Sequence, residues 1–317
     1  MTITEIATEL KKVDSALIFS HNRPDGDTVG SATALRLALK KLGVKADIVC
    51  NGDIPDKLKY LTETEFYQKN PNENEKYTAY IAVDCANEFM FAELFGYYKK
   101  NPLTFNIDHH VSNGRYAKFN YVEEASSTCE IIYSLIVALG VEIDKDIADC
   151  LLTGIVTDTG AFCHSNVTEN TLRVASVLKG YQGDLHKIIK LNFKNQTKQR
   201  SDLYASVISK MRYRLDGKVG IIVITRSDLE SVGAVDNVTE GFIDYPLTVD
   251  SVEVAISLLE TGKNRYKISL RSKGKVNVNE VAGTFGGGGH VMASGCMICG
   301  FYEDVKERII RAISINF

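Results

Sequence analysis

Short apolar runs alternate with longer amphipathic stretches over the first half of this chain, and that alternation limits the fold more than any other feature. "SALIFS" (15–20), "KADIVC" (45–50), "TAYIAVD" (78–84) and "LTFNID" (103–108) read as strands. "GSATALRLALKKLG" (30–43), "FAELFGYYKK" (91–100), "SSTCEIIYSLIVALG" (126–140) and "DKDIADCLLTGIVTD" (144–158) read as helices, the last apolar on most sides. Apolar strands separated by helices predict a mostly parallel sheet covered on both faces, an α/β fold. After a run of further helices the pattern changes. "GKVGIIVIT", "SVEVAISLLE" and "NRYKISLRS" read as strands joined by turns, and "DVKERIIRAISI" as a closing helix. That predicts a second, smaller α+β domain. The polar helical piece around 196–214 reads as a linker, giving domains 1–195 and 215–317.

The length of 317 residues and 44% hydrophobic content support two cores. A net charge of -3 argues against a protein that coats nucleic acid but leaves room for a local basic patch. No apolar run reaches the roughly 20 residues that span a bilayer, and the N-terminus has no signal-peptide pattern. Seven scattered cysteines fit a reducing compartment, so a cytoplasmic protein is expected. "CMIC" has Cys-x-x-Cys spacing but no second ligand pair, so Cys296 and Cys299 read as buried structural thiols.

In open α/β sheets, ligands bind beyond the carboxyl ends of the strands. The residues just past each predicted strand are therefore informative. "SALIFS" is succeeded by His21, Asp25 and Asp27; "AYIAV" by Asp84; "LTFNI" by Asp108, His109 and His110; the apolar helix "LLTGIVT" by Asp158. Taken singly, each has an ordinary reading as a turn or cap residue. Together, four carboxylates in one crevice would repel one another unless a cation sits among them. Oxygen and imidazole ligands without thiolate favour Mn²⁺ or Mg²⁺, with Mn²⁺ preferred for the histidines. Six ligands suit two ions. Such a pair, about 3.5–4 Å apart, can clamp both oxygens of a phosphoryl displacement and acidify a bridging water.

In order, "HNRPDGD", "AVDCA", "IDHHVSN" and "GIVTDTG" resemble the four motifs of the DHH phosphoesterases, over about the first 190 residues. "ISLRS" and "GTFGGGGHVMASG" resemble the DHH-associated domain. Together they are similar to the stand-alone bacterial subgroup of nanoRNases and pAp phosphatases. The resemblance implies a metal-dependent hydrolase of short oligoribonucleotides, acting from the 3′ end, that also removes the 3′-phosphate of pAp. A phosphodiesterase tuned to linear or cyclic dinucleotides is the alternative within the class; a nucleotide-binding regulator without turnover is the one outside it. The resemblance assigns His21, Asp25 and Asp84 to one Mn²⁺ and Asp27, His109 and Asp158, with Asp84 bridging, to a second, Mg²⁺ or Co²⁺ being substitutes. It places His110 at the scissile phosphate and gives Asp108 an orienting role. Other relatives fit less well. Family II inorganic pyrophosphatases carry a different second domain, RecJ-type exonucleases are longer, and the membrane-bound cyclic-dinucleotide enzymes have extra segments.

In the second half, glycines allow close backbone approach to phosphate, and arginine binds it with a two-pronged fork. Arg265, Arg271, Ser272, Gly287, Gly288, Gly289 and His290 are therefore the expected substrate contacts, with Asn113 and, more weakly, Arg115 from the first half. The expected arrangement is a cleft between the domains, holding an oligonucleotide, pAp or a dinucleotide. The sequence leaves open whether the chain works alone or as a homodimer, and which substrate it prefers.

Overall fold

Strands β1 (Ser15–Phe19), β2 (Lys45–Val49), β3 (Tyr67–Gln68), β4 (Ala79–Val83), β5 (Thr104–Asp108) and β6 (Phe119–Val122) form one sheet in the order β3-β2-β1-β4-β5-β6. Every pairing is parallel, so the expected α/β architecture holds. The structure is a computed structural model that describes residues 1–234 and 236–317. It divides into two units, Met1–Asn195 and Gln196–Phe317.

In the first unit, period-two alternation sends side chains to two different cores. Ala16 and Ile18 of β1 join a large aliphatic core, while Leu17 and Phe19 face an aromatic one with Tyr80, Phe91 and Tyr98. Full burial of a residue such as Phe19 contributes about 1.5–3 kcal/mol. The aliphatic face is covered by α1 (Ile3–Leu10), α2 (Gly26–Lys41), α4 (Thr128–Leu139) and α5 (Lys145–Asp158). The aromatic face carries α3 (Ala92–Tyr98). Two more helices, α6 (Glu169–Gly180) and α7 (Leu185–Ile189), close the unit.

Helices α2 and α5 pack closely because glycines line their contact. A Cβ on Gly30 would lie 2.4 Å from the Cys150 carbonyl oxygen. One on Gly154 would lie 2.3 Å from Cys129 Sγ and 2.5 Å from Asp27 Oδ1. This explains a sequence oddity, since glycine inside a helix costs about 1 kcal/mol relative to alanine.

The second unit contains α8 (Lys198–Ser209), β7 (Arg212–Arg214), β8 (Val219–Ile224), α9 (Arg226–Ser231), β9 (Val254–Gly262), β10 (Arg265–Ser272), α10 (Val278–Gly283), β11 (Gly288–His290), β12 (Ala293–Cys299) and α11 (Tyr302–Ser314). Its sheet runs β11-β12-β10-β9-β8-β7 and is antiparallel except at β8–β9. The segment 196–214, expected as a linker, is α8 plus the edge strand β7. Leu203 and Val207 of α8 are buried with Ile222, Ile224 and Leu259, so this segment is part of the second unit. The exposed residues that made it look polar are its solvent face. Cys296 is buried but Cys299 is exposed. Three positions apart in one strand, they point to opposite faces and cannot share an ion. Among the described residues, no helix is long and apolar enough to cross a membrane.

Candidate metal centre

Strand order places the site. The chain leaves β1 to one side for β2 and returns to the other side for β4, so β1 and β4 are neighbours with opposite onward directions. A crevice opens where order reverses, beyond the strands' carboxyl ends. Residues 20–25 leave β1 there, and Asp84 comes directly after β4. Asp84 has φ 55°, in the left-handed region, while its amide still donates to the Ile107 carbonyl at 3.0 Å. Aspartate tolerates this better than most residues, and such conformations persist where the surroundings enforce them.

All six expected ligands converge at this crevice. His21 Nε2 lies 3.5 Å from Asp84 Oδ2 and 3.8 Å from Asp25 Oδ2. His109 Nε2 lies 3.7 Å from Asp84 Oδ1 and 3.6 Å from Asp158 Oδ2. Two sets, His21–Asp25–Asp84 and Asp27–His109–Asp158, each place their ligand atoms within 4.8 Å of one another. The two oxygens of Asp84 therefore face different histidines.

The ligands are themselves held. Asp25 Oδ1 accepts from the amides of Asp27 and Thr28 at 3.1 and 3.0 Å, capping α2. Its other oxygen remains toward His21, so capping and ligation use different atoms. Asp27 is fully buried and accepts from the first amides of α4, Thr128 N at 2.6 Å and Cys129 N at 2.8 Å. A helix N-terminus stabilises negative charge in this way. Asp84 accepts from Thr28 Oγ1 at 2.5 Å and Thr128 Oγ1 at 3.0 Å. His109 Nδ1 lies 3.2 Å from the Ala125 carbonyl, which leaves Nε2 for the crevice.

Burial, then the charges of Asp84 and Asp25, pushes Asp27 well above the usual carboxylate range. Burial, then Asp27, Asp84 and Asp25, does the same to Asp158. Asp25 is raised by burial and by Asp84. Burial also works against ionisation of Asp84, but His21, His109 and the Thr28 hydroxyl outweigh it and hold Asp84 below its ordinary value. Burial and mutual repulsion thus disfavour the charge on Asp25, Asp27 and Asp158, and a divalent ion among them would offset both effects. The donor set is hard oxygen plus imidazole. Cys85, next to Asp84, points away and donates to the Val83 carbonyl at 3.2 Å. The residues present fit Mn²⁺ or Mg²⁺.

His110 falls in a third set, with Asp84 and His109, but differs from the other ligands in its partner. Its Nδ1 is 2.8 Å from Oδ1 of the buried Asp108, and that hydrogen bond pushes the imidazole up to about 9. Asp108 Oδ2 accepts from Asn113 Nδ2 at 2.6 Å. The same amide nitrogen also lies 2.8 Å from Asn106 Oδ1, and Asn113 Oδ1 accepts from Arg115 N at 2.7 Å. Asn113, expected to touch substrate, is therefore occupied inside the protein as a support for Asp108. Arg115 is exposed, with φ 50°.

In the second unit, Arg271 and His290 are brought into one row. Each is registered with Ala293 of β12, from opposite sides, so both side chains share a face about 10 Å apart at the backbone. Ser272, next in the strand, faces the other way and is buried, its hydroxyl accepting from Gly274 N at 3.0 Å. Arg265 lies six residues from Arg271 along β10, about 20 Å, so the two arginines cannot hold one phosphate. The glycines have a packing reason of their own. A Cβ on Gly287 would lie 2.2 Å from the Gly295 carbonyl oxygen, and Gly289 has φ 149°. The Gly287 amide already donates to the Ala282 carbonyl at 2.9 Å.

Comparison with known proteins now bears on this geometry. Residues 15–155 match the DHH family N-terminal domain, and residues 218–315 match the DHHA1 domain. A Thermus thermophilus protein named bifunctional oligoribonuclease and PAP phosphatase NrnA is 32% identical over 97% of this chain and 92% of its own length. The chain belongs to the DHH family. A crystal structure of an exopolyphosphatase-related protein from Bacteroides fragilis superposes with a TM-score of 0.90 at 26% identity, covering 99% of this chain and 95% of that one. RecJ from Thermus thermophilus, solved in complex with Mn²⁺, gives a TM-score of 0.58 at 15% identity, covering 99% of this chain and 55% of that one, a likeness of fold.

The DHH unit also contains site residues that the motifs did not single out. A groove of about 500 Å³ over the candidate ligands is lined in addition by Asn22, Arg23, Phe89 and Met90. Phe89 is 76% exposed. It lies just before the run "FAELFGYYKK" and carries no sequence signal of its own. Thr28 and Thr128, the hydroxyl donors to Asp84, carry no sequence signal beyond lying near the motifs.

Proposed function

We propose that this DHH protein is a metal-dependent phosphoesterase that trims short oligoribonucleotides from the 3′ end and removes the 3′-phosphate of pAp. The observation that carries the reading is the pair of adjoining ligand sets, with the two oxygens of Asp84 facing a histidine of each and the Asp108–His110 pair beside them. The oligoribonuclease and PAP phosphatase activities named for the Thermus relative support the substrate class.

His21, Asp25 and Asp84 would hold one divalent ion, and Asp27, His109 and Asp158 the second, with Asp84 available to both; Mn²⁺ is our choice. Ions there supply charge neutralisation and Lewis-acid activation of water and phosphate. The remaining chemistry belongs to the chain. His110, held protonated by Asp108, donates a hydrogen bond from Nε2 to a phosphate oxygen or the leaving oxygen. Asn113 keeps Asp108 from turning away. Phe89 offers a face on which the terminal base stacks, and Arg23 a charge for an adjacent phosphate. In the DHHA1 unit, Arg271 and His290 bind a further phosphate.

The test is hydrolysis in Mn²⁺ of pAp, a 5′-labelled RNA trimer, pApA, cyclic di-AMP and pyrophosphate, with Asp84→Ala alongside. Hydrolysis of pAp and 3′ shortening of the trimer, both abolished in the variant, are expected. Turnover of pyrophosphate alone, or of dinucleotides alone, would replace this substrate assignment.

A further inference from the structure

At the β7 edge of the second unit's sheet lies a groove of about 490 Å³ that the catalytic reading does not use. Its floor is apolar, Ile221 and Val223 of β8. Tyr302, at the start of α11, gives it an aromatic wall, with Lys306 Nζ 5.1 Å from the ring centroid. Arg212 and Arg214 of β7 line its rim. Two positions apart, they share a face about 6.6 Å apart. Arg212 donates to the carbonyls of Lys210 and Met211 at 3.0 and 3.1 Å, and Arg214 to that of Tyr213 at 3.0 Å. Among the described residues, neither guanidinium is paired with a carboxylate. Two other cations are partly compensated: Lys210 pairs with Asp228 at 2.6 Å, and Lys306 pairs with Glu303. β7 and β11 are the two ends of the six-stranded sheet. Arg271 of β10 is in register with Ala255 and, through it, with Gly220, so it lies on the face of the sheet opposite Ile221 and Val223, apart from this groove.

We propose that this groove is an accessory nucleotide site, binding a base against Tyr302 and flanking phosphates through Arg212 and Arg214. Charge on an exposed edge strand can also serve simply to block edge-to-edge pairing. That role requires no concavity, no apolar floor and no aromatic wall. A planar ring plus forked donors that no carboxylate neutralises is the combination that binds a base with its phosphate. In a chain of net charge -3, these cations concentrate anions locally. The ligand class comes from the groove itself. The same chemistry is presented by a free nucleotide and by one end of a short single strand.

The experiment measures binding of ADP, of tripolyphosphate, and of a hydrolysis-resistant phosphorothioate RNA pentamer. The proteins are the full chain and its Arg212→Gln/Arg214→Gln and Arg212→Lys/Arg214→Lys variants. Loss of two phosphate contacts should weaken binding about tenfold or more. For the pentamer it should also flatten the slope of log K against log salt by about 1.4. The lysine pair, which keeps the charge, should recover much of the slope. Loss confined to the pentamer identifies a strand end as the ligand; loss confined to ADP identifies a free nucleotide. Unchanged binding of both would overturn the proposal, as would tripolyphosphate binding as tightly as ADP, since the base would then go unread. Hydrolysis of pAp should be the same in all three proteins. Its absence in all three would refute the catalytic reading while leaving the binding result to judge the groove.

Discussion

Replacing Gly154 by alanine pits two effects of known sign against each other. Alanine in a helix interior gains about 1 kcal/mol over glycine. Here the added methyl would stand 2.3 Å from Cys129 Sγ, 2.5 Å from Asp27 Oδ1 and 2.8 Å from Cys129 Cβ. No side chain occupies such space without displacement, and overpacking of this kind costs about 1–3 kcal/mol. The net result is destabilisation of up to about 2 kcal/mol, a fall in Tm of up to about 8 °C for a unit of this size. The functional effect should be larger than the thermal one, because Asp27 is one of the atoms pushed. Displacing even a supporting partner typically costs about 10–100-fold in metal affinity. Calorimetric titration with Mn²⁺ and thermal melts of Gly154→Ala measure both quantities. Adding Cys129→Ala removes the nearest obstructing atom, so the double variant should bind metal better than Gly154→Ala alone, with favourable coupling of about 0.5–3 kcal/mol. Gly96→Ala is the control. Its Cβ would meet nothing within 4 Å, so it should stabilise by about 1 kcal/mol. A Gly154→Ala protein that melts higher than wild type and keeps its Mn²⁺ affinity would refute the reasoning.

Other expectations rest on the same geometry. Thr28→Val removes the hydroxyl that donates to Asp84 Oδ2, and Mn²⁺ affinity should fall about 10–100-fold with little change in Tm. Mn²⁺ at 100 times its Kd should stabilise the protein by about 2.7 kcal/mol, read as a rise in melting temperature that EDTA reverses; no shift would mean the crevice binds no ion. Asn113→Ala frees Asp108 and should lower kcat on pAp while leaving KM nearly unchanged, whereas Arg271→Gln should raise KM more than it lowers kcat.

The parts of the site legible in the sequence were those attached to strand ends. His21, Asp84 and Asp108 to His110 could be located because each comes after an apolar run, and the run fixes which end of the sheet it lies on. Asp158 was legible for a different reason, since a helix apolar on most sides must be buried and its carboxyl end must emerge somewhere. The support that Asn113 gives Asp108 is not legible, because a position just past Asp-His-His says nothing of which way the amide turns. Ser272 and Arg265 were grouped with Arg271 by proximity along the chain, yet strand alternation turns the first away and strand length carries the second out of reach. The segment 196–214 looked like a linker because only two of its residues, Leu203 and Val207, carry the buried face of α8. Phe89 and the β7 groove depend on which neighbours the fold brings, and no local pattern encodes that.

The close contact of α2 with α5 also bears on when the site is assembled. His21, Asp25 and Asp27 leave the ribosome early, and Asp158 emerges more than a hundred residues later. Chains are made from the N-terminus and domains fold as units. Until α5 settles against Gly26 and Gly30, the nascent protein presents an incomplete set of ligands, and any early cation is bound weakly. The glycine seam thus makes completion of the ligand set a late event, so a cation meeting the chain earlier would find only part of the site.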